Sequence, residues 1–194
     1  MKDTVIVFAR APRLGAVKRR LARGIGERAA LRFHEAVLRR LLRALTADSR
    51  FRTMLALSPH RASFRQPRRV GRIGQGSGDL GKRMNRVFRR FPRQRVALVG
   101  SDIPEVNTAD LARTFYALGR ADAVFGPAED GGYWLVALSP RRPARPFARV
   151  RWSSEHALSD TLANFVGRKI AFLRTLSDVD TEEDYKRMVG EWRA

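Results

Sequence analysis

The stretch ADAVFGPAEDGGYWLVAL, residues 121–138, decides how the chain folds. It holds two apolar runs, ADAVFG (121–126) and GGYWLVAL (131–138), with only PAEDGG between them. Short, continuous apolar runs of this kind read as buried strands. Everywhere else the predicted strands alternate with helices. TVIVFA (4–9), FRTMLALS (51–58), VGRIG (70–74), RVALVG (95–100) and KIAFLRTL (169–176) read as strands. Helices are expected at 27–45, 79–91, 108–118, from Ser153 or Ser154 to Phe165, and from Thr181 onward. Alternation of this sort implies a mostly parallel sheet covered on both faces. The turn at 127–132 breaks it and implies one reversed strand in a mixed sheet. The expectation is a single α/β domain over residues 1–194, with no repeat, linker or internal boundary.

Composition narrows the function classes. The 194 residues contain no cysteine, which removes disulfides and thiolate metal sites. No apolar run approaches the length of a membrane span, and the N-terminal run is too short for a signal peptide. A soluble cytoplasmic protein is expected. The net charge of +20 is unusual and unevenly placed. Residues 1–95 carry 26 Lys and Arg against 5 Asp and Glu, while residues 96–194 carry 13 against 14. Such a surface attracts polyanions, whether nucleic acid, anionic lipid or phosphorylated small molecules. The basic runs are not interleaved with exposed aromatics and match no nucleic-acid module, which argues against nucleic acid.

Ligands of open α/β sheets bind beyond the carboxyl ends of the strands. Four polar clusters sit there: RAPRLGAVKRR (10–20), GSDIP (100–104), GPAEDGG (126–132) and SDVDTEED (177–184). The first suits phosphate. Gly15 lets a ligand approach the backbone, and Arg10, Lys18 and Arg20 supply charge, although the pattern is not a P-loop. In the second, Asp102 ends a buried strand. In the last, Asp178 and Asp180 are two apart and point the same way if extended. A hard cation such as Mg²⁺ or Mn²⁺ needs one or two carboxylates plus phosphate and water. The rival reading is that Asp180 and Thr181 only cap the final helix. EDGGYWL places Asp130, Gly131 and Gly132 where they could meet an acceptor or sugar, or simply turn a hairpin. QGSGDLGKRM (75–84) brings Gly78 and Asp79 before a helix, where anions are favoured. His34, His60 and His156 show no metal spacing.

In order along the chain, VFARAPRLGAVKRRLA, QGSGDLGKRM, VALVGSDIPEV, AVFGPAEDGGYWLVAL, WSSEHAL and LSDVDTEEDY resemble the bacterial radical SAM/selenodomain-associated transferase 1 family. These proteins are also described as arsenosugar-biosynthesis glycosyltransferases, within the nucleotide-diphospho-sugar transferase superfamily. The resemblance implies a GT-A-type, Rossmann-like domain with one antiparallel strand and a nucleotide over the first loop. It implies a divalent cation at Asp102, with Asp178 and Asp180 as the later acidic ligands. On this reading Asp102 and Asp130 are catalytic. Arg10, Gly15, Lys18, Arg20, Gly78 and Asp79 hold the nucleotide and its phosphates. Gly131, Gly132, Trp152 and Ser153 meet the acceptor or sugar. The chain departs from the family at Arg19, where a small hydroxyl residue is usual. The expected activity is transfer of a sugar from a nucleotide-sugar to a small acceptor. The alternative is nucleotidyl transfer from an NTP to a phosphorylated small molecule, with release of pyrophosphate. Exposed apolar residues near the C-terminus, such as Trp192, permit a homodimer.

Overall fold

A computed structural model describes residues 2–191; Trp192 lies outside the described residues. Seven strands form one sheet: β1 (Asp3–Arg10), β2 (Phe51–Ser58), β3 (Gly71–Gly74), β4 (Val96–Gly100), β5 (Ala123–Pro127), β6 (Tyr133–Leu138) and β7 (Ile170–Phe172). Their order is β3-β2-β1-β4-β6-β5-β7. The reversed strand is β6, antiparallel to both β4 and β5, and every other pairing is parallel. The 127–132 turn therefore joins β5 to β6 as a hairpin, as its length predicts.

Alternation along β1 explains its apolar run Val5–Ala9. Val5, Val7 and Ala9 face one core, and Ile6 faces the other. The first face is covered by helices α2 (Glu27–Ala47) and α4 (Thr108–Ala117), through Leu38, Leu41, Leu42 and Leu45 from α2 and Leu111 and Phe115 from α4. The second is covered by α3 (Leu80–Arg89), through Met84, Val87 and Phe88. A strand buried on both faces carries apolar residues on both, so the period-two pattern of a half-exposed strand disappears.

Three expectations need correction. Residues 10–20 are not all loop, because α1 (Arg19–Ile25) begins inside them. It opens on Lys18, whose backbone is left-handed at φ 47°, with no side chain capping it. Next, α5 (Ala157–Leu162) starts later than the serines suggest. The Ser154 hydroxyl donates to the Arg151 carbonyl and accepts from the His156 amide, making a turn ahead of the helix. Last, β7 is shorter than the run 169–176, since it is an edge strand with Phe172 half exposed. The final helix, α6 (Glu182–Glu191), is held at its start by a reciprocal cap: the Asp184 carboxylate accepts from the Thr181 amide, and the Thr181 hydroxyl accepts from the Asp184 amide. Among the described residues no helix is long and apolar enough to cross a membrane.

Strand order reverses between β1 and β4. The chain runs outward through β1, β2 and β3, then returns to place β4 on the other side of β1. Loops leaving β1 and β4 at their carboxyl ends therefore diverge and open a crevice between them.

Candidate active site

The loop after β1 delivers Lys18 to that crevice, and the end of β4 delivers Asp102. The Lys18 ammonium lies 2.7 Å from Asp180 Oδ1 and 3.5 Å from Asp102 Oδ1. Its side chain is only 4% exposed, whereas those of Asp102 and Asp180 are 50% and 36% exposed. A buried cation is thus clasped by two carboxylates that still open onto the crevice. Arg20 Nη1 stands 3.9 Å from the other Asp180 oxygen, mostly in solvent. Because Asp184 and Thr181 cap α6 between them, the Asp180 carboxylate is free to turn to Lys18 rather than to the helix.

Under Asp102 lies His34, on the buried stripe of α2 and 2% exposed. Its Nε2 donates to the Arg10 carbonyl at 3.1 Å, which leaves Nδ1 facing Asp102 Oδ1 at 3.5 Å. Desolvation at the floor of the crevice pushes the Asp102 pKa up, but His34 and Lys18 pull it down harder, to about 2. Burial also works to discharge Lys18, and the charges of Asp102 and Asp180 outweigh it, so its pKa rises above the usual lysine value. Asp178 behaves in the opposite way. Burial first, and then the neighbouring Asp180 charge, raise it to about 6; Asp130 adds a smaller push. Asp130, Asp178, Asp180 and Asp102 thus share one electrostatic field with Lys18.

Among the described residues no three His, Cys, Asp or Glu side chains converge as a ready-made metal centre. The donor set nevertheless fits a hard cation. Asp102 and Asp180 already grip one positive charge, both have oxygens open to solvent, and Mg²⁺ takes only one or two carboxylates when phosphate and water fill the remaining positions.

The other predicted residues separate into two groups. Arg10 is exposed at the end of β1. It shares its surroundings with Arg83, a residue not singled out from the sequence. Desolvation and the Arg10 charge together lower the Arg83 pKa. Arg83 stacks over the Phe8 ring at 5.4 Å and donates to Gln75 Oε1. Gln75, also unforeseen and 1% exposed, donates in turn to the Ala9 and Ala56 carbonyls at 2.9 and 2.7 Å. This staple ties the carboxyl ends of β1 and β2 to the glycine-rich loop, where Gly78 adopts φ +100°. Gly15, at φ +71°, likewise uses a conformation few other residues adopt. Asp79 caps α3, accepting from the Lys82 amide at 2.8 Å, so its carboxylate already has a structural task.

On the far side, the β5–β6 hairpin carries Asp130, whose Oδ1 accepts from the Gly132 amide at 2.9 Å. Gly131 has φ +81°, and a Cβ there would sit 2.1 Å from the Glu155 carbonyl oxygen. The Gly131 carbonyl accepts from the Leu158 amide at 3.0 Å. These contacts fasten the 152–157 segment to the hairpin. Trp152 packs near Tyr133 and Phe147, both with ring centroids 6.4 Å away. Ser153 is exposed, with φ 61°.

Comparison with known proteins bears on the family and the fold. A profile of the DUF2064 family, described as an uncharacterized protein conserved in bacteria, matches residues 41–154. No curated protein sequence matches the chain. Among solved structures, a proposed nucleotide-diphospho-sugar transferase from Desulfovibrio desulfuricans superposes with a TM-score of 0.89 at 25% identity, covering 97% of this chain and 87% of that one. Rv0371c from Mycobacterium tuberculosis, in complex with manganese, gives 0.61 at 19% identity over 98% of this chain and 99% of that one. The 4-diphosphocytidyl-2C-methyl-D-erythritol synthase of Anaerococcus prevotii gives 0.62 at 11% identity over 100% and 99%. The Desulfovibrio structure gives the fold as a nucleotide-diphospho-sugar transferase-like α/β sheet, and the two more distant likenesses share that fold alone.

Proposed function

From the premise that this chain belongs to the DUF2064 family, we propose that it is a metal-dependent nucleotide-diphospho-sugar transferase that moves a sugar from a nucleotide-sugar to a small acceptor. The observation that carries this reading is the grip of Asp102 and Asp180 on one buried cation at the β1/β4 crevice. A nucleotide diphosphate brings two phosphates to that crevice, where Lys18, Arg20 and Arg10 supply charge, with Arg83 beside Arg10. Gly15 and Gly78 let it approach the backbone, and Asp79 fixes the start of α3 beneath it.

Mg²⁺ or Mn²⁺ would be held by Asp102 and Asp180, with Asp178 as the neighbouring acid, and would neutralise charge that develops on the departing diphosphate. In the reaction the bond from the anomeric carbon to the diphosphate oxygen breaks, a bond to the acceptor oxygen forms, and the acceptor's proton passes to water. Lys18 shifts its ammonium from the carboxylates toward phosphate. Asp130 orients the acceptor or sugar, with Gly131 and Gly132 exposing backbone and Trp152 and Ser153 forming the wall beyond.

The nucleotidyltransferase reading draws on the cation density of the first loop, which suits a triphosphate, and on the shared fold of the Anaerococcus prevotii synthase. A thermal-shift screen separates the two. Wild type and Asp102→Asn are heated with NTPs and NDP-sugars, each with and without Mg²⁺ or Mn²⁺. A ligand at 100 times its Kd adds about 2.7 kcal/mol. A metal-dependent shift with one class of NDP-sugar, absent in Asp102→Asn, supports glycosyl transfer. A shift with an NTP alone supports nucleotidyl transfer. The absence of any metal-dependent nucleotide shift overturns both.

A further inference from the structure

Between the start of α3 and the segment before α5 lies a second cavity of about 610 Å³. Phe147 and Trp152 wall it with aromatic surface, and Lys82, Arg145 and Arg149 stand around it. The wall is rigid. Phe147 packs on Phe88 at 5.7 Å and near Trp152 at 6.4 Å. A Cβ on Gly81 would come within 2.9 Å of both the Phe147 carbonyl oxygen and the Trp152 ring, so helix and wall meet without a gap.

The arginines of residues 141–151 show an unequal division of labour. Arg141 pairs with Asp122, Arg151 pairs with Asp160, and Arg142 donates to the carbonyls of Phe88, Phe91, Gln94 and Ser139. Arg145 and Arg149 have no hydrogen-bond or ion-pair partner among the described residues, and these two line the cavity. The single carboxylate in the lining, Asp79, is occupied with the Lys82 amide and lies 3.4 Å from the Lys82 ammonium. The cavity therefore holds two uncompensated guanidinium groups. Arg149 is also held at φ 55°, a left-handed conformation that costs a non-glycine residue energy and that clusters at ligand sites.

We propose that this cavity seats the acceptor, and that the acceptor is a phosphomonoester whose phosphate pairs with Arg145 and Arg149 while a flat or apolar portion lies on Phe147 and Trp152. Guanidinium forks match phosphate oxygens two at a time, and an aromatic wall favours a planar partner. The inference rests on the transferase reading for the word acceptor. It places that substrate against the start of α3, beside Asp79, with the Trp152 segment as the opposite wall.

The test uses the full chain and phenyl phosphate as probe, with phenol and inorganic phosphate as comparisons, by isothermal titration calorimetry at low ionic strength. Phenyl phosphate is expected to bind more tightly than either comparison. In the double variant Arg145→Gln/Arg149→Gln its affinity falls at least ten-fold, which is about 1.4 kcal/mol. Both side chains are exposed, so the melting temperature of the double variant should match that of wild type. Lys18→Met, which disables the first loop, should leave phenyl phosphate binding within two-fold. Equal binding of phenol, undiminished binding in the double arginine variant, or loss in Lys18→Met instead would each overturn the proposal. Metal-dependent nucleotide binding is measured alongside. If nucleotides bind and phenyl phosphate ignores the arginines, the cavity proposal falls alone. If phenyl phosphate obeys the arginines and no nucleotide binds, the anion-binding cavity stands and the transferase reading falls.

Discussion

Replacing Lys18 with methionine tests whether a buried cation holds the crevice together. Methionine keeps the apolar stem and roughly the length of lysine, and it is no worse in the left-handed conformation at φ 47°. What it removes is one charge lying 2.7 Å from Asp180 and 3.5 Å from Asp102. Breaking a fully buried pair costs about 3–5 kcal/mol, and breaking an exposed one costs about 0.2–1 kcal/mol. Here the cation is buried but both carboxylates reach solvent and can rehydrate. An intermediate loss of about 2 kcal/mol is therefore expected, which for a domain of this size lowers Tm by roughly 4–8 °C. The pH dependence carries the sharper test. Asp102 has its pKa lowered from 3.8 to about 2 in the folded state, partly by Lys18. A depressed carboxylate contributes stability above its unfolded pKa and loses it as pH falls through the folded one. The gap between wild type and Lys18→Met, measured by urea unfolding, should be full at pH 5–7 and close between pH 4 and pH 2. A variant as stable as wild type at pH 7, or a gap that persists at pH 2, would refute the clasp.

Three further outcomes are expected. Asp102→Asn should weaken Mn²⁺ binding, read by electron paramagnetic resonance, at least about ten-fold while leaving the fold intact; unchanged affinity would remove Asp102 from the cation site. Asp178 has its pKa raised to about 6 by burial and by Asp180, so its charged form opposes folding and its contribution is lost as pH rises. Asp178→Asn should accordingly raise Tm at pH 8 and lose that advantage at pH 4; a lower Tm at pH 8 would contradict the assignment. Gly131→Ala combines a left-handed backbone with a Cβ 2.1 Å from the Glu155 carbonyl oxygen. It should cost at least about 2 kcal/mol and lower Tm by roughly 4 °C or more, and a neutral result would show that the 152–157 segment moves freely.

The parts of this fold that are legible in the sequence are those where one physical term dominates. β1, β4, β5 and β6 are apolar on both faces because both faces are covered, and their runs cannot be mistaken for surface. The β5–β6 hairpin is legible because six residues leave no room for a crossover helix. α1 is not legible. Leu21 is its one buried residue, it has no acidic first turn, and its N-terminus is an uncapped lysine. The eight-residue run at 169–176 overstates β7 because only half of an edge strand's surroundings are protein. At the site, the carboxylates announce themselves by position after strands. His34 does not, because its meaning lies in its place on an otherwise aliphatic stripe with Ala30, Leu38 and Leu41. Lys18 is visible as one cation among many, but its burial is invisible, since the wall that covers it comes from the other end of the chain.

That separation bears on how the protein is made. Lys18 is synthesised 162 residues ahead of Asp180. During elongation β1 to β4 can assemble while the lysine stays hydrated at the rim, and Asp102 and His34 can find their places beneath it. The ammonium gains its 2.7 Å partner only when the segment leading into α6 arrives with the second carboxylate. The pair therefore works as a clasp between segments 162 residues apart, and a chain stopped before Asp178 would contain all seven strands but lack the second carboxylate.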